Sequence, residues 1–271
     1  MSASQRDTTV GAGAHGETPG VLEKIVAESR RRAAALGVID PGAATRVDFA
    51  AAIRRKGEMP QLIAELKRRS PSQGSLKEGL PAAEAVRLYA PYAAALSILT
   101  EPEHFKGSIE DLKEARQLTA LPLLRKDFIV DKKQIDEARA AGADSFLLIV
   151  ASLTDAELTG FIAHGRRLGM EALVEVLTED ELRRALALDI RILGINNRNL
   201  HTLEIDMGRC LRLAGQIPPA RRDALVLVAE SGYASRQQLL ALPEYFDAVL
   251  MGTGFMQEKD PAQKLKEVFA P

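Results

Sequence analysis

From Leu62 onward the chain repeats one pattern: a short apolar run, a polar or glycine-bearing corner, and then a segment in which apolar residues return every three or four positions. The short runs have the length of buried strands and the longer segments have the period of amphipathic helices. Strands are predicted over 62–67, 95–99, 122–126, 145–150, 171–176, 191–196, 225–230 and 248–252. The predicted helices are 82–89, 109–118, 133–141, 155–167, 179–188, 207–214, 236–241 and 262–269. Strict alternation implies a parallel sheet, and the 210 residues from Leu62 to the end divide into eight units of about 26, which fits a (β/α)8 TIM barrel. An open doubly wound sheet is the runner-up. It would need a glycine-rich phosphate loop after its first strand, where this chain has Arg68-Arg69-Ser70-Pro71.

Ahead of the barrel, Val21, Ile25, Val26, Ala33 and Leu36 recur at helical spacing and predict a helix ending near Gly37; a second short helix is predicted over 48–54. Residues 1–20 are rich in Ala, Gly, Ser and Thr with little to bury, and read as a disordered tail. The organisation expected is therefore that tail followed by one barrel domain, 21–271, with additional N-terminal helices over 21–59. The run Arg30 to Arg32 follows acidic residues and reads as a solvated helix face.

Composition narrows the chemistry. A length of 271 residues with 46% hydrophobic content suffices for one large core or two modest domains. The formal charge of −1 provides no net field for nucleic acid or an anionic membrane, so an anionic substrate must be held by local groups. Without Trp and with 4% aromatics there is no stacking platform for single strands. Cys210 is the sole cysteine, which excludes an intrachain disulfide, agrees with a reducing cytoplasm and suggests a packing role. No run has the roughly twenty apolar residues of a membrane helix, and the N-terminus has no apolar signal core, so a cytoplasmic location is expected. His15, His104, His164 and His201 show no metal-ligand spacing, and neither Gly-x-Ser-x-Gly nor Gly-x-Gly-x-x-Gly occurs.

In a barrel the carboxyl ends of the strands form one ring, where barrel enzymes do their chemistry. Glu65 and Lys67, two apart on the first strand, point the same way. Lys126 with Asp127, Glu175, Asn196 with Arg198, and Glu230 with Ser231 and Gly232 stand at later ends, and Gly252 with Thr253 at the last. Taken singly, Glu65 and Lys67 read as solvated charges, Lys126 and Asp127 as a surface ion pair, and either glycine as a tight turn. A fully covered strand, however, offers Glu175 no solvent face, and a buried carboxylate needs a partner or a function. Ser231-Gly232 and Gly252-Thr253 follow strands seven and eight, where barrels bind phosphate through backbone N–H groups and hydroxyls; Lys67 or Arg198 would add charge there.

The segment Ile63-Ala64-Glu65-Leu66-Lys67-Arg68-Arg69-Ser70-Pro71-Ser72 closely resembles the signature of the indole-3-glycerol phosphate synthase family. So do Ser97-Ile98-Leu99-Thr100-Glu101, Leu124-Arg125-Lys126-Asp127-Phe128, Leu173-Val174-Glu175-Val176, Gly194-Ile195-Asn196-Asn197-Arg198, Ala229-Glu230-Ser231-Gly232 and Met251-Gly252-Thr253, in the family's order. The resemblance runs from about Val21 to the end. It departs at Arg69, where members vary, and at Lys133, where an aromatic is frequent.

The resemblance implies ring closure of 1-(2-carboxyphenylamino)-1-deoxyribulose 5-phosphate to indole-3-glycerol phosphate, with loss of carbon dioxide and water. It assigns Lys126 as general acid to the ketone, Glu175 as acid–base group for dehydration, Glu65 and Lys67 as their close partners, and Asn196 to orient the substrate. Arg198 would contact the anionic part, and Leu99, Phe105, Phe128 and Leu147 would wall the anthranilate ring. Phosphate would fall to Ser70, Ser231, Gly232, Gly252 and Thr253. Lys67 is expected to lower the pKa of Lys126, with Glu65 and Glu175 opposing. No metal or organic cofactor is implied. The expected partner is a small phosphorylated substrate and the expected state a monomer, with room for weak association with other tryptophan-pathway enzymes. Two rivals stay open: phosphoribosylanthranilate isomerase, another phosphate-binding barrel, and a catalytically silent barrel serving as a scaffold.

Overall fold

The apolar runs become strands whose alternate residues meet two different apolar surroundings. In the computed structural model, which describes residues 20–44, 47–70, 74–75 and 79–270, these are β1 (Gln61–Leu66), β2 (Ala95–Leu99), β3 (Leu123–Lys126), β4 (Ser145–Ile149), β5 (Glu171–Val176), β6 (Ile192–Asn196), β7 (Val226–Glu230) and β8 (Ala248–Met251). All pair in parallel and close in the order β1-β8-β7-β6-β5-β4-β3-β2. Residues 61–64 of β1 lie beside 248–251, and 63–66 beside 95–98, which joins the first strand to the last.

Phe146 and Leu148 of β4 pack outward against the helices, whereas Leu147 and Ile149 fill the interior. In β5, Ala172, Val174 and Val176 belong to the outer layer and Leu173 to the inner one. Parity then fixes where ionisable side chains go: Glu65 shares the side of Ile63, Lys126 that of Leu124, and Glu175 that of Leu173. Several helices between strands begin on side-chain caps, with reciprocal capping boxes at Asp131, Thr154 and Ser235, whereas Ala82–Tyr89 and Arg209–Gly215 start without one. Cys210 packs in the outer layer, where burial pushes its thiol up to about 12.

Both ends of the barrel are stopped by residues that precede β1. The leading helix, Val21–Ala35, sends Leu22 and Ile25 into the inner cluster at the carboxyl end of the strands. Ser29 Oγ donates to the Phe128 carbonyl at 2.6 Å, and Lys133 Nζ donates to the Leu36 carbonyl at 2.7 Å just past the helix end. At the opposite end Phe49, Ala50 and Ile53 fill the barrel; Asp48 caps this helix by accepting from Ala51 N at 3.0 Å and pairs with Arg191 at 3.0 Å.

The structure departs from expectation in its short elements. Phe49–Ala52 is shorter than expected, the helix expected over 207–214 is Arg209–Gly215, and a 3-10 turn, Val150–Ser152, follows β4. A two-strand antiparallel hairpin, Arg69–Ser70 with Gly74–Ser75, and two short helices, Pro219–Ala224 and Thr253–Met256, have no counterpart in the sequence pattern, because pieces this short carry no period. The tail expected over 1–20 lies, apart from Gly20, outside the described residues. Among the described residues no helix is long and apolar enough to cross a membrane.

Candidate active site

The inward ends of the strands converge on a cleft at the carboxyl face. Its floor carries Glu65, Lys67, Lys126, Glu175, Asn196 and Glu230. Lys126 Nζ lies 3.3 Å from Glu175 Oε2 and 3.7 Å from Glu230 Oε2. Asn196 Nδ2 donates to Glu175 Oε1 at 3.0 Å, and Asn196 Oδ1 accepts from Arg198 N at 2.9 Å, so Asn196 ties the second carboxylate oxygen to the loop carrying Arg198. Lys67 Nζ donates to Glu65 Oε1.

Burial disfavours the Lys126 ammonium, yet the carboxylates of Glu175, Glu230 and Glu65 outweigh it and hold the group above its ordinary value. The expected lowering by Lys67 does not prevail against these three carboxylates. Burial also opposes the Glu65 carboxylate, and Lys67 with Lys126 overrule it, keeping Glu65 below the usual range. Glu230 goes the other way: burial and the Glu175 charge push it well above the ordinary glutamate value despite Lys126. The floor thus joins a firmly protonated amine to carboxyl groups driven apart in proton affinity, a pattern typical of acid–base sites.

One side of the cleft is apolar. Leu99, Phe105, Phe128, Leu147 and Ile149 line it, with Phe105 and Phe128 ring centroids 6.1 Å apart. Val21, Leu22 and Ile25 of the leading helix complete this wall, a part the sequence pattern does not assign to them. On the other side stand Ser231, Gly232, Gly252 and Thr253. Ser231 and Gly232 have φ of 66° and 91°, two consecutive residues in the left-handed region.

Gly252, expected from sequence to admit an anion, lines the cleft and also makes room for β1, since a Cβ there would meet the Glu65 carbonyl at 2.8 Å and Glu65 Cβ at 2.9 Å. One expectation changes here. Asp127 is not a surface partner of Lys126; it is buried, pairs with Arg125 at 3.1 Å and accepts from Thr100 Oγ1 at 2.6 Å. The side chain of Ser70 lies outside the described set.

Glu230 stands at a strand end in the sequence but receives no role there; in the structure it belongs to the floor. The signal is present, since it stands on a fully covered strand just as Glu175 does. A Cβ on Gly194 would come 2.1 Å from Glu230 Oε1, so Gly194 supplies the space for that carboxyl. Among the described residues, one group with metal-compatible spacing, Glu28, Glu103 and His104, lies outside the cleft. His104 Nε2 is already paired with Glu28 at 2.7 Å and Arg31 and Arg32 act on the same carboxylate, so the group reads as an ion-pair network.

Residues 21–268 match the family model for indole-3-glycerol phosphate synthase. The chain belongs to the indole-3-glycerol phosphate synthase family. An indole-3-glycerol phosphate synthase of Albidiferax ferrireducens is 43% identical over 263 residues, spanning 92% of this chain and 98% of its own length. That of Aquifex aeolicus is 44% identical over 222 residues, spanning 82% and 85%. Among solved structures, KGPDC from Streptococcus mutans superposes with a TM-score of 0.58 at 16% identity, covering 78% of this chain and 96% of that one. A chain of the tryptophan synthase complex of Pyrococcus furiosus gives 0.55 at 16% identity, covering 77% and 97%. At such identities the two superpositions speak for the barrel alone, while the family assignment rests on the sequence matches.

Proposed function

We propose that the cleft closes the indole ring of 1-(2-carboxyphenylamino)-1-deoxyribulose 5-phosphate, releasing carbon dioxide and water to give indole-3-glycerol phosphate, the carboxy-lyase reaction of tryptophan biosynthesis. The observation that carries this reading is the position of Lys126 Nζ between Glu175 and Glu230, at the floor of a cleft with an aromatic-lined wall on one side and a left-handed Ser-Gly corner on the other.

The chemistry divides among these groups. The ring carbon bearing the carboxylate attacks the ketone carbon, and Lys126, held protonated by its carboxylate neighbours, gives its proton to the ketone oxygen as the carbon–carbon bond forms. Loss of carbon dioxide returns the bonding electrons to the ring. Dehydration then needs an acid for the departing hydroxyl and a base for the proton lost, and Glu175 serves this step, oriented by Asn196. Glu230, whose buried carboxyl resists ionisation, is a proton reservoir 3.7 Å from Lys126.

Glu65 keeps Lys67 ordered and adds to the field on Lys126. Arg198 would take the substrate carboxylate, and Leu99, Phe105, Phe128 and Leu147 the ring. Ser231, Gly232, Gly252 and Thr253 would take the phosphate, Gly252 serving also as the spacer that keeps Glu65 in place. We read the chain as one domain from Val21 onward, monomeric, cytoplasmic and independent of metal. Purified protein given the substrate in the presence of a chelator should develop indole fluorescence; no product at saturating substrate would overturn this reading.

A further inference from the structure

The loop after β2 is folded around one side chain. Glu101 is completely buried. Its Oε1 accepts from Glu103 N at 3.2 Å, and its Oε2 from His104 N at 2.7 Å and Phe105 N at 3.1 Å. The Glu101 carbonyl accepts from Gly107 N at 2.9 Å, returning the loop to the strand end. The return is tight, since a Cβ on Gly107 would sit 2.2 Å from the Leu99 carbonyl oxygen. The position of Phe105 against Phe128 is therefore dictated by a carboxylate that does not itself line the cleft.

A buried carboxylate with three N–H donors still carries a full charge and needs a counter-ion. That counter-ion comes from the leading helix. Arg32 Nη1 lies 3.4 Å from Glu101 Oε1 and 3.7 Å from Glu103 Oε1. Both terminal nitrogens of Arg32 are buried and neither has a hydrogen-bond partner, so the link to the loop is made by charge. One turn earlier Glu28 meets His104 Nε2 at 2.7 Å, a second tie to the same loop.

We propose that Glu101 is a positioning residue for the aromatic wall and that Arg32 makes the leading helix part of that device. A carboxylate with both oxygens engaged fixes three successive amides, which fixes the Cα of Phe105 and hence the plane against which a ring is held. A shift of about 1 Å in such a wall can cost on the order of a hundredfold in rate, because attack needs the ring carbon aligned with the ketone. The phosphate corner, built on β7 and β8, should not register the change. The inference rests on the proposed ring-closure reading for the identity of the ring.

The test uses the full chain and two separate probes: anthranilate, followed by its own fluorescence, and inorganic phosphate, followed by competition with substrate. Glu101→Gln keeps the shape but offers one acceptor where the carboxylate offers two. It should weaken anthranilate binding about tenfold and lower kcat by about ten- to a hundredfold, with phosphate affinity unchanged. Arg32→Met should act in the same direction more weakly, and Arg32→Lys, which keeps the charge, should recover most of the loss. Loss of affinity for both probes in parallel, equal effects of Arg32→Met and Arg32→Lys, or unchanged anthranilate binding would each overturn the proposal. If Glu101→Gln fails to fold, the two Arg32 variants decide alone. Wild-type protein that binds anthranilate without closing the ring would refute the proposed reaction and leave the wall standing; wild-type protein that does not bind anthranilate would refute the wall.

Discussion

Replacing Lys126 by Met removes an ammonium from among carboxylates and keeps the unbranched apolar stem. At an effective dielectric of about 20, a unit charge 3.3 Å from the Glu175 carboxylate interacts by about 5 kcal/mol. Without it the buried carboxylates have less to hold their charge, and the cheapest response is for one to take up a proton. For a glutamate of ordinary pKa about 4.3, that uptake at pH 7 costs about 3.7 kcal/mol, which caps the loss of stability. The sign follows directly: the cost falls by about 1.4 kcal/mol for each pH unit below 7, so the variant should approach wild-type stability as pH falls toward 5. Lys126 itself contributes nothing to this slope, because its raised folded pKa is titrated only above the unfolded value near 10.4.

In catalysis the variant lacks the acid for carbon–carbon bond formation, so kcat should drop by about a hundred- to ten-thousandfold, with substrate affinity much less affected. Single-turnover fluorescence at saturating substrate gives the rate, and urea unfolding at two pH values gives the stability. Lys133→Met is an unsuitable control, since Lys133 holds the Leu36 carbonyl at the end of the leading helix; exposed Lys113, paired with Glu110 at 2.8 Å, is a sound one. Near-wild-type single turnover would remove Lys126 from the acid role and make Lys67 the next candidate. A stability deficit independent of pH would refute the charge-balance reasoning.

Three further outcomes are expected. Ser231→Ala and Thr253→Val should each lower affinity for inorganic phosphate by about ten- to a hundredfold, as for loss of a hydrogen bond to a charged group, leaving anthranilate binding intact; unchanged phosphate affinity would place the anion elsewhere. Gly232→Ala, at φ of 91° with its Cβ 2.3 Å from Met207 Sδ, should destabilise by about 1–3 kcal/mol in urea unfolding, and a neutral result would show that the corner relaxes freely. Glu230, with a folded pKa raised above its unfolded value, favours the native state in acid and loses that contribution as pH rises through the folded pKa. Glu230→Gln should therefore gain stability relative to wild type with rising pH, at up to about 1.4 kcal/mol per unit; a difference flat between pH 4.5 and 8 would mean that Glu230 ionises normally.

The strands and their inward residues are legible in the sequence because a covered parallel strand leaves an ionisable side chain only the barrel interior, and Glu65, Lys126 and Glu175 all follow that rule. The same rule applies to Glu230, whose role is easily missed beside the more familiar Ser231-Gly232 corner. Distances are not legible. Only the folded geometry engages Lys67 with Glu65 and gives Lys126 the carboxylates that determine its proton affinity. The apolar stripe of the leading helix is visible as a period, but its entry into the cleft depends on the angle at which the helix crosses the barrel mouth, which periodicity does not contain. Gly252 shows the same limit, because what a missing Cβ spares is set by a neighbouring strand far away in sequence.

The stoppers at the two ends of the barrel impose an order on synthesis. Leu22, Ile25, Phe49 and Ile53 leave the ribosome before any strand exists to receive them. Their flanking ties come late: Asp48 waits for Arg191, Glu23 for His201, and the Arg55 amide for Asp247, which is 192 residues downstream. At roughly 5–20 residues per second the last of these ties forms about 10–40 s after its first half is made, whereas Glu28 can meet His104 and Ser29 can meet Phe128 sooner. The opening helices therefore gather their native contacts in stages, and their set is complete only when the last strand has emerged.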